Sequence, residues 1–211
     1  VLRAPGIRSD ATTPPRFGTN LGGFGEIFVR AWLEREGIAP GDVLWANVDA
    51  SDVPAALAEG LIDFGHTWQP YAQEAAEAGA IPVFSSADTP GLILDVVLAT
   101  RSGLERQPEA YRGFLRAWFE AERRWRADPA AGNAAAAAAL GLDPAVVSLA
   151  GVKMYSLEDN RQAMTGGADS PLASLVTRYS AFFVERGSLS TPPDPATMFD
   201  VSLLPEAAPA P

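Results

Sequence analysis

Phe17-Gly18-Thr19-Asn20-Leu21-Gly22-Gly23-Phe24-Gly25-Glu26 joins a short apolar run to a helix-periodic one, and the fold can be read outward from that junction. Small residues in the turn leave backbone N–H groups open at the start of a helix, where aligned peptide dipoles favour a negative or strongly polar group. Downstream, Phe24, Ile27, Phe28, Ala31 and Trp32 recur at helical spacing and Gly37 offers a stop, which predicts one helix with one buried stripe. Upstream, residues 16–19 read as a strand. Residues 1–15, carrying Pro5, Gly6, Pro14 and Pro15, read as an irregular lead-in.

The alternation continues along residues 16–95. Strands are expected over 43–48, 61–65 and 81–84, and helices from the Ser51-Asp52 cap to residue 58 and over 70–78. The apolar run 92–99 has the composition of a fully buried fifth strand. Strand and helix in turn predict an α/β fold with a mostly parallel sheet covered by helices. After Pro108 the pattern becomes helical and spans 96–190. Tyr111, Phe114, Leu115, Trp118, Phe119 and Trp125 share one face of a long helix that stops near Asp128-Pro129, and that spacing predicts core. An alanine run over 134–139 needs only helix propensity to explain it. Further helices are expected over 143–149, 157–164 and 171–185, before a tail over 191–211 whose prolines argue against regular structure.

With 211 residues, 47% of them hydrophobic, the chain can bury the core of one large domain or two small ones. A formal net charge of -10 and the absence of Lys/Arg clusters argue against a nucleic-acid partner. No stretch is apolar for long enough to cross a bilayer. The absence of cysteine excludes disulfides, thiolate metal sites and thiol nucleophiles.

Three constellations carry chemistry. In the first, Thr19, Asn20, Gly22, Gly23 and Phe24 place short side-chain donors and open amides at one helix terminus. The glycine spacing fits neither a dinucleotide fingerprint nor a P-loop, so turn alone and turn with ligand contact both stay open. The second is Gly65-His66-Thr67-Trp68-Gln69-Pro70-Tyr71 at a strand end, where ligands of open α/β sheets sit and where an exposed Trp68 would form a pocket wall. His66, the single histidine, has no nucleophile motif beside it and no second ligand for a metal. The third is the polar turn 85–91 feeding the apolar run, in which Asp95 either faces a cleft or meets an arginine.

Taken in order, R-F-G-T-N-L-G-G-F-G-E-I-F (16–28), G-I-x-P-G-D-V (37–43), A-A-L-A-E-G-L-I-D-F (55–64), T-W-Q-P-Y (67–71) and D-T-P-G-L-I-L-D-V-V-L (88–98) form one series. Continued by G-L-D-P-A-V-V (141–147) and L-E-D-N-R (157–161), it resembles the periplasmic substrate-binding proteins of ABC transporters for nitrate, aliphatic sulfonates, taurine and thiamine-precursor pyrimidines. The resemblance implies a two-lobed protein of the type II periplasmic-binding fold, with a mixed sheet flanked by helices. It would close on a small anionic or polar molecule and deliver it to a membrane permease. It implies an extracytoplasmic location, no cofactor, and approach to the membrane only through the permease.

Residues 16–95 would then be lobe two, 96–190 the mainly helical part of lobe one, and the first part of lobe one would precede Val1. Thr19 to Phe24 would supply donors and Trp68 would line the cleft, with His66 beside it. Asp95 would ride on a strand crossing between lobes. Two other functions remain for such a chain. One is a ligand-sensing module of a signalling protein. The other is an enzyme similar to the fungal pyrimidine synthases of this fold, in which Lys153 and His66 would hold and assist pyridoxal phosphate.

Overall fold

The computed structural model describes residues 1–7, 13–147, 149 and 151–206. The chain divides into two units, Val1–Asp95 with Tyr179–Pro192, and Val96–Arg178 with Pro193–Pro211.

The first unit is built on five strands, β1 (Leu2–Arg3), β2 (Arg16–Thr19), β3 (Leu44–Asn47), β4 (Phe64–Gly65) and β5 (Ile81–Pro82), in the order β3-β2-β4-β1-β5. Strand β2 runs parallel to β3 and β4, whereas β1 pairs antiparallel with both β4 and β5. Helices α1 (Phe24–Glu36), α2 (Val53–Ala58) and α3 (Tyr71–Glu77) connect the strands. On one side of the sheet the fully buried Phe17 stacks on Phe64 with ring centroids 5.3 Å apart, and Trp32 of α1 closes on Phe17 at 5.3 Å. Burying each such ring stabilises the unit by about 1.5–3 kcal/mol. Because strand side chains alternate, the paired Gly18 and Gly65 face the other way and leave room for Ile62 and Val53, which pack with Leu2, Leu57 and Ala75. Arg16 ties β2 to the approach of β4, its N–H donating to Asp63 Oδ2 at 2.8 Å and its guanidinium to Oδ1 at 2.9 Å. That hydrogen bonding holds the Asp63 carboxyl below the usual carboxylate range. Helix α1 ends at Gly37 in the left-handed conformation (φ 70°), with the Ile38 N–H returning to Leu33 O at 2.9 Å.

The second unit is helical: α4 (Arg101–Arg106), α5 (Pro108–Ala127), α6 (Pro129–Leu140), α7 (Leu157–Met164) and the first part of α8 (Pro171–Glu185). Its helix starts are chemically explicit. Asp128 accepts from Ala131 N–H at α6, and Ser156 and Asp159 form a capping box at α7 that holds the Asp159 carboxyl down at about 2. Trp125 of α5 packs onto Gly132 of α6, where a Cβ would lie 2.5 Å from the indole. Among the described residues, no helix is long and apolar enough to cross a membrane.

The expected α/β class and mixed sheet hold, while five local readings are corrected. The lead-in contains β1, inserted between β4 and β5; two residues are too few to show a period, and residues 8–12 of that lead-in lie outside the described residues. Among the described residues only two of the four strand pairings are parallel, because β1 enters reversed. The run 92–99 forms no strand, and residues 95–99 are exposed; a strand needs a partner for its ladder, and none of the five pairs with it. The 143–149 segment is a short 3₁₀ turn, Pro144–Val146, rather than a helix, and Ser148 lies outside the described residues. In the tail, Asp194 and Asp200 cap short turns at Pro195–Thr197 and Val201–Leu203; the first begins on a proline, which is well tolerated at a first helical position. Residues 207–211, with Pro209 and Pro211, lie outside the description.

Candidate functional site

Strands β3, β2 and β4 lie side by side and parallel, so their carboxyl ends share one edge of the sheet. Three loops leave from that edge and are stitched together there. Leu21 N–H donates to Asn47 Oδ1 at 2.9 Å, Val48 N–H to Thr19 O at 3.0 Å, and the Thr67 hydroxyl to Ala50 O at 2.8 Å. Between the loops opens a cavity of about 460 Å³. Asn20, Phe24 and Gly25 line it from the first loop and α1, Asp49, Ala50 and Ser51 from the second, and Trp68 and Tyr71 from the third. This volume falls within the range usual for small-molecule sites, at the place where open α/β sheets bind their ligands.

The turn into α1 is shaped by two glycines. Gly22 has φ 76°, which side-chain-bearing residues rarely adopt. Gly25 is required by close approach: a Cβ there would lie 2.6 Å from Thr19 Oγ1 and 2.8 Å from His66 Nδ1. Gly23 caps α1 in extended backbone (φ -123°) without a side-chain hydrogen bond. Part of the amide array is already used. Gly22 N–H donates to Glu26 Oε2 at 3.0 Å, and the buried Glu26 carboxylate is paired with Arg30 and Arg186, each at 2.9 Å. The N–H groups of Gly23, Phe24 and Gly25 have no acceptor among the described residues.

Behind the cavity His66 is buried among rings, with Phe28 at 5.2 Å, Phe24 at 5.8 Å and Trp68 at 5.9 Å between centroids. Desolvation lowers its pKa to about 4, so near neutral pH it is an uncharged ring. Thr19 Oγ1 lies 3.4 Å from its Nδ1. His66 and Thr19 thus form the floor on which Phe24 and Trp68, 5.5 Å apart and both nearly half-exposed, stand.

Of the residues singled out in the sequence, Asn20, Phe24 and Trp68 line the cavity; Gly22 and Gly23 shape its lip; Thr19 and His66 lie beneath it. Asp95 is exposed and is not part of the lining, because the segment carrying it is not held in the sheet. Sequence reasoning missed Gly25, Asp49, Ala50, Ser51 and Tyr71 as lining. Applying the strand-end rule to β3 as it was applied to β4 would have found Asp49 to Ser51. Lys153 belongs to the helical unit, where its ammonium is 3.2 Å from Asp159 and 4.6 Å from the Tyr155 ring centroid.

The periplasmic aliphatic sulphonate binding protein SsuA of Escherichia coli is similar in fold, with a TM-score of 0.66 at 18% identity. The match covers 94% of this chain and 64% of SsuA, so the chain spans less than two thirds of that protein's length. No curated protein matches it in sequence. Residues 5–142 match the model of the NMT1-like family, a span that includes every residue of the cavity, and the chain belongs to that family.

Proposed function

We propose that the chain is a solute-binding component of an ABC importer, working outside the cytoplasm, that captures a small anionic or polar molecule and passes it to a permease. The strand-containing unit would be lobe two and the helical unit part of lobe one, closing on the ligand by hinge motion without bond chemistry. The observation that carries this reading is the cavity at the carboxyl ends of three parallel strands, with aromatic walls and three unpaired amides at its lip. The fold likeness to SsuA and membership of the NMT1-like family support it.

A thermal-shift screen of nitrate, alkanesulfonates, taurine and pyrimidines supplies a ligand, and calorimetry on Trp68→Ala then tests the site. Loss of an aromatic wall is expected to weaken binding about tenfold or more while circular dichroism stays unchanged. Equal affinity in the variant would overturn the assignment.

A further inference from the structure

The first turn of α1 departs from the way in which a glutamate at its place ordinarily closes a helix start. In a capping box the third residue of the helix turns its side chain back to the N–H of the cap residue. Here the cap is Gly23 and the third residue is Glu26, yet the carboxylate reaches one residue further and accepts from Gly22 N–H at 3.0 Å. Leu21 N–H is taken by Asn47 Oδ1 at 2.9 Å. The turn is thus gripped at two successive amides, and the Gly23 N–H, next in line, has no acceptor among the described residues.

Glu26 is 1% exposed, and a carboxylate so buried is costly unless both oxygens are paired. Its Oε1 meets Arg30 at 2.9 Å, and its Oε2, the oxygen that holds Gly22, meets Arg186 at 2.9 Å. Arg30 is itself fixed, donating to the two oxygens of Glu185 at 2.9 and 3.1 Å with its guanidinium 5.1 Å from the Phe182 ring centroid. Arg186 follows directly on α8, in the part of the chain that belongs to the sheet unit. None of these charged side chains lines the cavity. Given that the cavity is a ligand site as proposed above, we infer that Arg186 is a positioning residue for it: with Arg30 it holds Glu26 on the Gly22 amide, which keeps the Gly23 amide open at the lip. Without Arg186, Oε2 is released to close the ordinary capping box on Gly23, and the protein's own carboxylate then competes for a donor that the ligand would use.

Amide hydrogen exchange followed by NMR on the full chain, with no ligand added, reads this arrangement. In the wild type, Gly22 N–H is expected to be protected about tenfold or more over Gly23 N–H. Arg186→Gln should reverse that order, while Arg186→Lys, which keeps the charge, retains it; circular dichroism checks the fold. Calorimetry with benzenesulfonate should show affinity lowered about fivefold or more in Arg186→Gln and restored in Arg186→Lys. A role in stability alone would speed exchange at both amides and leave their order as it was. A wild-type Gly22 that exchanges as fast as Gly23, an order that survives Arg186→Gln, or a benzenesulfonate affinity equal in that variant would overturn the inference. Should benzenesulfonate fail to bind in a Trp68-dependent way, the solute-site reading falls for this anion, and the exchange order alone decides the role of Arg186.

Discussion

The two units of this chain differ in how many of their aromatic residues they cover, the site residues Phe24 and Trp68 apart. In the sheet unit, Phe17, Trp32, Phe64 and Phe84 are all at most 9% exposed, each covered by a second layer of structure. In the helical unit, α5 presents five large aromatics, but Phe119 alone among them is buried, whereas Phe114 and Trp118 are 45% and 44% exposed with their rings 6.0 Å apart. Helical spacing says that aromatic residues share a face; it does not say that anything covers the face. The expectation that the α5 stripe is core is therefore corrected, for a physical reason: burial belongs to the pair of layers, not to the helix.

Truncation should separate the units most sharply at their most and least covered rings. Phe17→Ala is expected to cost about 3–5 kcal/mol, read as a fall in the urea midpoint. A loss under about 1 kcal/mol would mean that the Phe17 cluster does not organise the sheet unit.

A second difference is electrostatic. His66 is buried and neutral in the sheet unit, with a pKa of about 4 against 6.5 for a free imidazole. A group that binds its proton less readily folded than unfolded adds stability that is complete above pH 6.5 and disappears as the pH falls toward 4. The expected loss from this group over that window is about 3 kcal/mol, and His66→Gln should remove that part of the pH dependence. Equal pH dependence in wild type and variant would place the ring in water. The depressed carboxyls of Asp63 and Asp159 act below the usual carboxylate range, so their contribution is lost at lower pH and does not blur the histidine window.

Smaller effects sharpen the comparison further. Gly25→Ala drives a methyl toward Thr19 and His66 and should lower stability by about 1–3 kcal/mol, together with ligand affinity. Gly23→Ala, with only Asn20 Oδ1 at 3.3 Å in its way, should do much less. The smallest change is expected for Trp118→Ser on the open face of α5, within about 0.5 kcal/mol by urea denaturation. A large loss there would show that the ring is covered in solution.

The legible part of this fold was its longer periodic elements. Helix α1, with its apolar stripe and its Gly37 stop, and the strand–turn–helix junction at Thr19 to Phe24 follow from local spacing alone. Strand β1 was not legible, because two residues paired between distant strands carry no local signal. The run 92–99 misled because composition suited to a buried strand is indistinguishable from an apolar segment that has no partner. At the site, Trp68 was reached through the strand-end rule at β4, and the same rule at β3 reaches Asp49 to Ser51; that the two loops meet follows only from the register of β2 on β3, which puts the loop after Asn47 beside Asn20. His66 looked like a candidate contact in sequence; its burial among Phe24, Phe28 and Trp68 makes it the support beneath the wall.

The most direct test of the solute-site assignment is an amide-resolved NMR titration of the chain with a ligand from the screen. The largest shifts are expected at the backbone amides of Gly23, Phe24 and Gly25 and at the Trp68 indole, with residues of the helical unit such as Trp125 and Gly132 little moved. Saturable binding that leaves those four signals in place, or that moves only the helical unit, would contradict the placement of the ligand at the carboxyl ends of β2, β3 and β4.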